Sequence, residues 1–221
     1  RHRSGDNWAK AWWRLVNGNR PRHGGYIVHL SILMLGLGII GTNFYQQRTD
    51  GALALGESLV IDNYRIEYID SDSSSRSDRI AQWADMSIYR IDPADYADEI
   101  SFARAQGSDG FTLKDSTRRP NDRLIGQIQP WHGFYTDFNM VSVRSGIRST
   151  IVEDLYVIPR DFLADGRVSL AVSIHPLAWW LWASGPFFIL GTMVALWPQP
   201  VLERRPARSE NKIRAMATGD L

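Results

Sequence analysis

The sequence predicts a membrane α plus β protein, in which two transmembrane helices flank a small antiparallel β-rich exported domain of sandwich or barrel-like type. Three observations lead there. Residues 26–44 and 177–197, runs of 19 and 21 residues, hold no charged side chain. At ~1.5 Å rise per residue each run reaches roughly 30 Å as a helix, the thickness of a bilayer's hydrocarbon core. Residues 45–176 between them carry 14 Lys and Arg against 20 Asp and Glu, and they hold short runs rich in Val, Ile, Tyr and Phe separated by polar or Gly/Pro breaks, as strands do.

The whole-chain averages fit that segregation. With 221 residues, 22% of them charged, and a mean hydropathy of −0.26, the chain is too polar to be made mostly of membrane helices. Its nine Trp, eight Tyr and eight Phe make it too aromatic for a disordered chain. The net charge of +1 gives no overall field for a nucleic-acid partner. The absence of cysteine excludes a disulfide scaffold, a thiolate metal site, a Cys nucleophile and covalent haem attachment to this chain itself.

Taken in order, residues 1–25 form a basic segment. Arg1, Arg3, Lys10, Arg14, Arg20 and Arg22 stand against a single acid, Asp6. Residues 198–221 form a second basic tail with Arg204, Arg205, Arg208, Lys212 and Arg214. Lys and Arg mark the cytoplasmic flanks of membrane spans, so both ends are expected in the cytoplasm and residues 45–176 on the exported side. Residues 7–16, with Trp8, Trp12 and Trp13 beside Lys10 and Arg14, suit a short interfacial helix or a helix packed on further protein. The first span, 26–44, is longer than the 7–15 apolar residues of a signal-peptide core and no small-residue cleavage site follows it. Together with a start at Arg1, this leads us to expect the C-terminal piece of a longer protein.

Within the exported domain, residues 59–69 alternate, with Tyr64, Ile66 and Tyr68 on one side and Arg65 and Glu67 on the other. Further strands are expected over 80–91, 124–129, 138–144, 153–158 and 167–174, all rich in Val, Ile, Tyr and Phe. Polar or Gly/Pro breaks separate them at 71–78, 118–122, Ser145-Gly146 and Asp165-Gly166. Residues 92–99 cluster acids as a helix start does and predict one helical turn on a loop. In the second span, 177–197, Pro176 suits the first turn of the helix and Pro186 predicts a kink. Trp179, Trp180 and Trp182 at one end and Trp197 at the other predict aromatic belts at the two membrane surfaces.

The residue with the strongest chemical interest is His29, the one histidine inside an apolar run. An imidazole in lipid faces a bundle interior, pairs with another group or binds a ligand, and neutral imidazole is a standard axial ligand of haem iron. On a helix, Gly25 and Gly36 fall on nearly the same face as His29, leaving room for a flat macrocycle. The alternative is that Gly25, Gly36, Gly38 and Gly41 let another helix approach, with His29 hydrogen-bonded across the interface. Spacing alone leaves both open. His175 is a candidate ligand at the outer surface or a solvated residue before the second span. The turn expected at 131–135, with Trp131 and His132, either contacts a hydrophobic ligand or tucks onto a barrel. Residues 70–75 resemble the start of a calcium loop, but Ser75 replaces the turn glycine and Ala81 stands where the last carboxylate belongs. No phosphate-binding, dinucleotide, nucleophile-elbow or zinc-protease motif occurs.

Arg22-His23-Gly24-Gly25-Tyr26-Ile27-Val28-His29-Leu30, with Leu55-Gly56-Glu57 beyond the apolar run, resembles the C-terminal third of the cytochrome c maturation family CcmF. So do Pro176, Trp180-Leu181-Trp182-Ala183-Ser184-Gly185, Ala195-Leu196 and the basic tail, and, between the spans, 143–147 and Asp154-Leu155-Tyr156-Val157. The resemblance covers most of residues 20–200 and departs at Ser184, Pro186 and an insertion over 92–119. It implies a subunit of the haem lyase that attaches haem to apocytochrome c in the bacterial inner membrane, with a periplasmic β domain. It further implies that His29 is an axial ligand of a membrane-embedded haem b whose second ligand lies upstream. The implied partners are membrane lipid, haem, apocytochrome c and other maturation subunits. No catalytic residue is expected in this stretch. Two other readings stand beside it: a membrane-anchored assembly or binding module without haem, and a ResB-like cytochrome c assembly protein.

Overall fold

The computed structural model describes Asn7, Trp8, Lys10 and residues 18–114 and 119–198. Most of the expected interfacial segment 7–16 and nearly all of the basic tail 198–221 lie outside the described residues. Two apolar helices, α1 (Arg20–Phe44) near the N-terminus and α3 (Ala178–Leu196) near the C-terminus, flank a β-rich antiparallel domain. The chain divides into two compact units, 29–188 and the combined chain ends, 1–28 with 189–221.

Among the described residues of the larger unit, eleven strands form two sheets, all pairs antiparallel. One sheet has the order β1 (Gln47–Leu53), β11 (Val168–Pro176), β10 (Glu153–Phe162), β9 (Gly146–Ser149). The other runs β5 (Gly110–Leu113), β2 (Ser58–Ile61), β3 (Tyr64–Ser75), β4 (Arg79–Arg90), β7 (Trp131–Tyr135), β8 (Met140–Arg144). β6 (Arg123–Ile128) also pairs with β4, sharing an edge with β7. Met86 to Arg90 take β6, and Arg79 to Trp83 take β7. Pro130 makes the join: it has no N–H of its own to give, and its carbonyl accepts from Ala84 N at 3.0 Å. Register shifts at Tyr68/Asp70 and at Ile88/Tyr89 bend the sheet into a half-barrel, as an extra residue in one strand does.

The core lies between the sheets. Ile66, Tyr68, Met86 and Ile88 from one side meet Leu155, Val157, Leu170 and Val172 from the other, all buried. Each such side chain contributes about 1.5–3 kcal/mol through burial, so the domain holds together without disulfides. The alternation expected along β3 is present, but its polar side is not in water. Arg65 is fully buried and Glu67 nearly so. Asp122, which also accepts from the Tyr96 hydroxyl, meets Arg65, and the chain after β4 forms a 3-10 turn (Pro93–Tyr96) followed by α2 (Ala97–Ala105), longer than the single turn expected. Asp92 caps that turn by accepting from Ala94 N. Val60, Tyr89, Ile91 and Tyr96 form a second apolar cluster there, joined by Ile100 and Phe111.

Other strand ends also differ from expectation. β3 runs on to Ser75 through the serine stretch read as a break, paired with β4 from Ser71↔Ala84 to Ser75↔Ile80 but with its side chains largely in water. Residues 131–135, expected as a turn, are strand β7; its Gly133 leaves the space that the Trp131 ring fills. Pro176 ends β11 rather than opening a helix; Leu177, at φ +60°, makes the turn, and α3 starts at Ala178. α3 continues as helix through Pro186.

In the most apolar stretch of each helix only 22% of α1 and 11% of α3 is buried. A core helix of a water-soluble protein would be mostly covered. Exposed Leu30, Leu33, Leu35, Leu37 and Ile39 on α1 and Phe188, Leu190 and Met193 on α3 leave both helices with apolar surface suited to lipid. In the smaller unit Gly24 packs on the backbone of Ala195, and Gly191 on that of Val28. Arg20 Nη1 donates to Pro198 O at 3.0 Å.

Candidate functional site

Close helix approach explains which glycines pack and which do not. In the larger unit α1 buries Ser31, Met34, Gly38 and Gly41. The backbone of Leu181 presses on Gly38, and Pro176 O and Leu177 on Gly41, leaving no room there for a Cβ. Thr42 and Asn43 return their polar groups to the helix, Thr42 Oγ1 to Gly38 O at 2.8 Å and Asn43 Nδ2 to Ile39 O at 2.9 Å.

His29 lies on the other side of α1, nine residues and therefore half a turn in phase from Gly38, and it is exposed. A Cβ built on Gly36 would meet nothing within 4 Å. The same holds at Gly25, in the smaller unit. Of the four glycines that the packing alternative grouped together, Gly38 and Gly41 take part in close packing, while Gly25 and Gly36 have open space. Within the larger unit, His29 is thus an exposed imidazole, a side chain of the type that ligates haem iron, on the helix that also carries the open Gly36. Among the described residues no group of three or more His, Asp or Glu is placed to hold a metal ion.

His175 sits on β11 beside the start of α3 and is half-buried rather than wet. Its Nε2 is 3.2 Å from Ser173 Oγ, and its ring meets that of Tyr156 edge-on at 5.1 Å. Burial lowers its pKa below the ordinary value, against the opposing pull of Asp154 and of a hydrogen bond with the Thr42 backbone. Asp154 stands directly across from His175 in the sheet and buries an Oδ1 without a hydrogen-bond partner. His132 faces neighbouring strands, paired with Gln82 and Val143. The structure does not bring these histidines together with His29 into one cluster.

The fold as a whole has a counterpart among solved structures. The chain is similar to the cytochrome c haem lyase CcmF. The match has a TM-score of 0.58 at 17% identity and covers 82% of this chain and 26% of that one. The chain thus spans about a quarter of the length of the CcmF chain it matches. At that identity the likeness is one of fold: two apolar helices around an antiparallel β domain. No family model and no curated protein matches the sequence.

Sequence reasoning missed the polar groups that hold the β domain. Tyr64 donates to Glu153 Oε1 at 2.8 Å, and Arg90 Nη1 reaches the same oxygen at 2.9 Å, tying the two sheets together. Burial and that hydrogen bond push the Tyr64 hydroxyl up to about 12. The partners are 89 and 63 residues apart, and no local pattern announces them.

Proposed function

We propose that these residues form the C-terminal part of a CcmF-like cytochrome c maturation subunit, one that handles haem for covalent attachment to apocytochrome c. The observation that carries this reading is the likeness to CcmF over 82% of the chain, joined to the sequence resemblance at both apolar runs. α1 and α3 would cross the bacterial inner membrane with both chain ends in the cytoplasm, as the basic flanks suggest. The β domain would then lie in the periplasm. It would serve as a docking surface for apocytochrome c or other maturation subunits.

In this reading His29 holds the iron of a haem b, with the second ligand supplied from outside these residues, and Gly25 and Gly36 leave room beside it. Bound there, a haem would supply one-electron redox chemistry of use in keeping a substrate haem iron reduced. An imidazole nitrogen of His29 would be the group these residues contribute to the iron. Thioether formation draws on the partner's thiols, since this chain has none.

The test is cytochrome maturation in a strain lacking the gene. Loss of covalent haem staining from c-type cytochromes, restored by the wild-type gene, is expected. Undiminished staining in the deletion strain would overturn the proposal.

A further inference from the structure

Residues 150–152 link β9 to β10 and end beside the start of α3. The backbone N–H of Leu177 donates to Val152 O at 2.7 Å, and Glu153 pairs with Pro176 across the sheet. Thr150 stiffens the tip: its Oγ1 accepts from Glu153 N at 3.0 Å and donates to Glu153 O at 2.8 Å. The two residues at the tip, Ile151 and Val152, are each 64% exposed. Apolar side chains held outward by a hydrogen-bonded turn expose area that water disfavours, and among the described residues nothing covers them.

The level of this tip is fixed by its bond to Leu177, one residue before α3. The same end of the helices carries exposed Trp179 and Trp182 on α3 and exposed Phe44 and Tyr45 where α1 ends. Aromatic residues of this kind belong at the headgroup level of a bilayer. Residues 150–152 carry no charge, and the flanking Glu153 is directed inward to Tyr64 and Arg90, so the tip presents no charge outward. We infer that Ile151 and Val152 dip into the lipid interface of the same bilayer leaflet, making the β9–β10 turn a third membrane contact that props the β domain against the surface. The inference rests on the membrane-spanning reading of α1 and α3 and adds to it a partner for this turn.

The chain has no cysteine, so single labels report cleanly. Leu33→Cys on α1, Ile151→Cys at the turn and Ser73→Cys on the far β3–β4 hairpin would each carry a nitroxide in the whole chain reconstituted into liposomes. Collision with oxygen, which concentrates in lipid, is compared with collision with a water-soluble nickel chelate. The expected result is a lipid-like ratio at 33 and at 151 and a water-like ratio at 73. A lipid-like value at 33 with a water-like value at 151, or a label at 151 shielded from both reagents, would overturn the turn's membrane contact while leaving the spans intact. A water-like value at 33 as well would overturn the spanning reading and this contact with it.

Discussion

Arg65 and Asp122 form an ion pair of 2.8 Å, with both side chains wholly buried. Arg65 also donates from Nε to Ser58 Oγ, while Asp122 accepts from the Tyr96 hydroxyl and the Arg119 N–H. The pair ties Asp122, and through it Tyr96, to the back of β3. Buried Tyr96, within the stretch where the sequence departs from the CcmF-like pattern, is therefore part of the domain's interior.

That pair makes a stability prediction. Removing one charge strands the other in a low-dielectric site, so Asp122→Ala is expected to destabilise the domain by about 3–5 kcal/mol. Replacing both residues, as Arg65→Met with Asp122→Leu, is expected to cost less than the single change. Denaturant unfolding of the three proteins checks this; a double variant weaker than Asp122→Ala would contradict it.

The glycines of α1 make a second. Gly38→Val places side-chain atoms into the Leu181 backbone and is expected to disrupt the pairing of α1 with α3, whereas Gly36→Val meets open space and leaves the fold intact. Thermal unfolding in detergent separates them. On the haem reading, Gly36→Val lowers b-type absorbance even though the protein folds, because it fills room that a macrocycle needs.

The third concerns pH. Burial holds His175 below the ordinary imidazole value, so the unfolded chain binds this proton more readily than the folded one. Its contribution to stability is full above the ordinary value of 6.5 and is lost as pH falls from there through the lowered folded value. Unfolding temperature is expected to fall with pH across that window, with a shallower slope in His175→Gln. Equal slopes would show that other groups control the acid limit.

Tyr64 gives the opposite sign at the alkaline end. Its pKa is raised to about 12 from 10.0, so its contribution is present below 10 and is lost as pH rises through about 12. Tyr64→Phe is expected to weaken the tie between the sheets near neutral pH and to remove that alkaline dependence, read from unfolding curves at stepped pH.

Much of the fold was legible because its signals are local. Charge-free runs long enough to cross a bilayer marked α1 and α3, period-2 alternation marked β3, and enrichment in Val, Ile, Tyr and Phe between polar breaks marked β4, β10 and β11. β1, β5 and β9 escaped notice because Gln47–Leu53 and Gly146–Ser149 are too polar to show the period, and Gly110–Leu113 is only four residues. The burial of Arg65 was illegible for another reason: its partner Asp122 is 57 residues away, and alternation cannot tell a face in water from one under a covering segment. At the candidate site the sequence put His29, Gly25 and Gly36 on one face. Which glycines meet α3 depended on where that helix lies, and the packed set includes Gly24, which the spacing argument had not singled out.

The central claim is that the His29 imidazole binds haem iron. The direct measurement is the reduced-minus-oxidised optical spectrum of the purified full-length protein, wild type against His29→Ala, at matched protein concentration. The account predicts a b-type absorbance in the wild type that is lost in the variant while the protein stays folded. An unchanged spectrum in His29→Ala would contradict it.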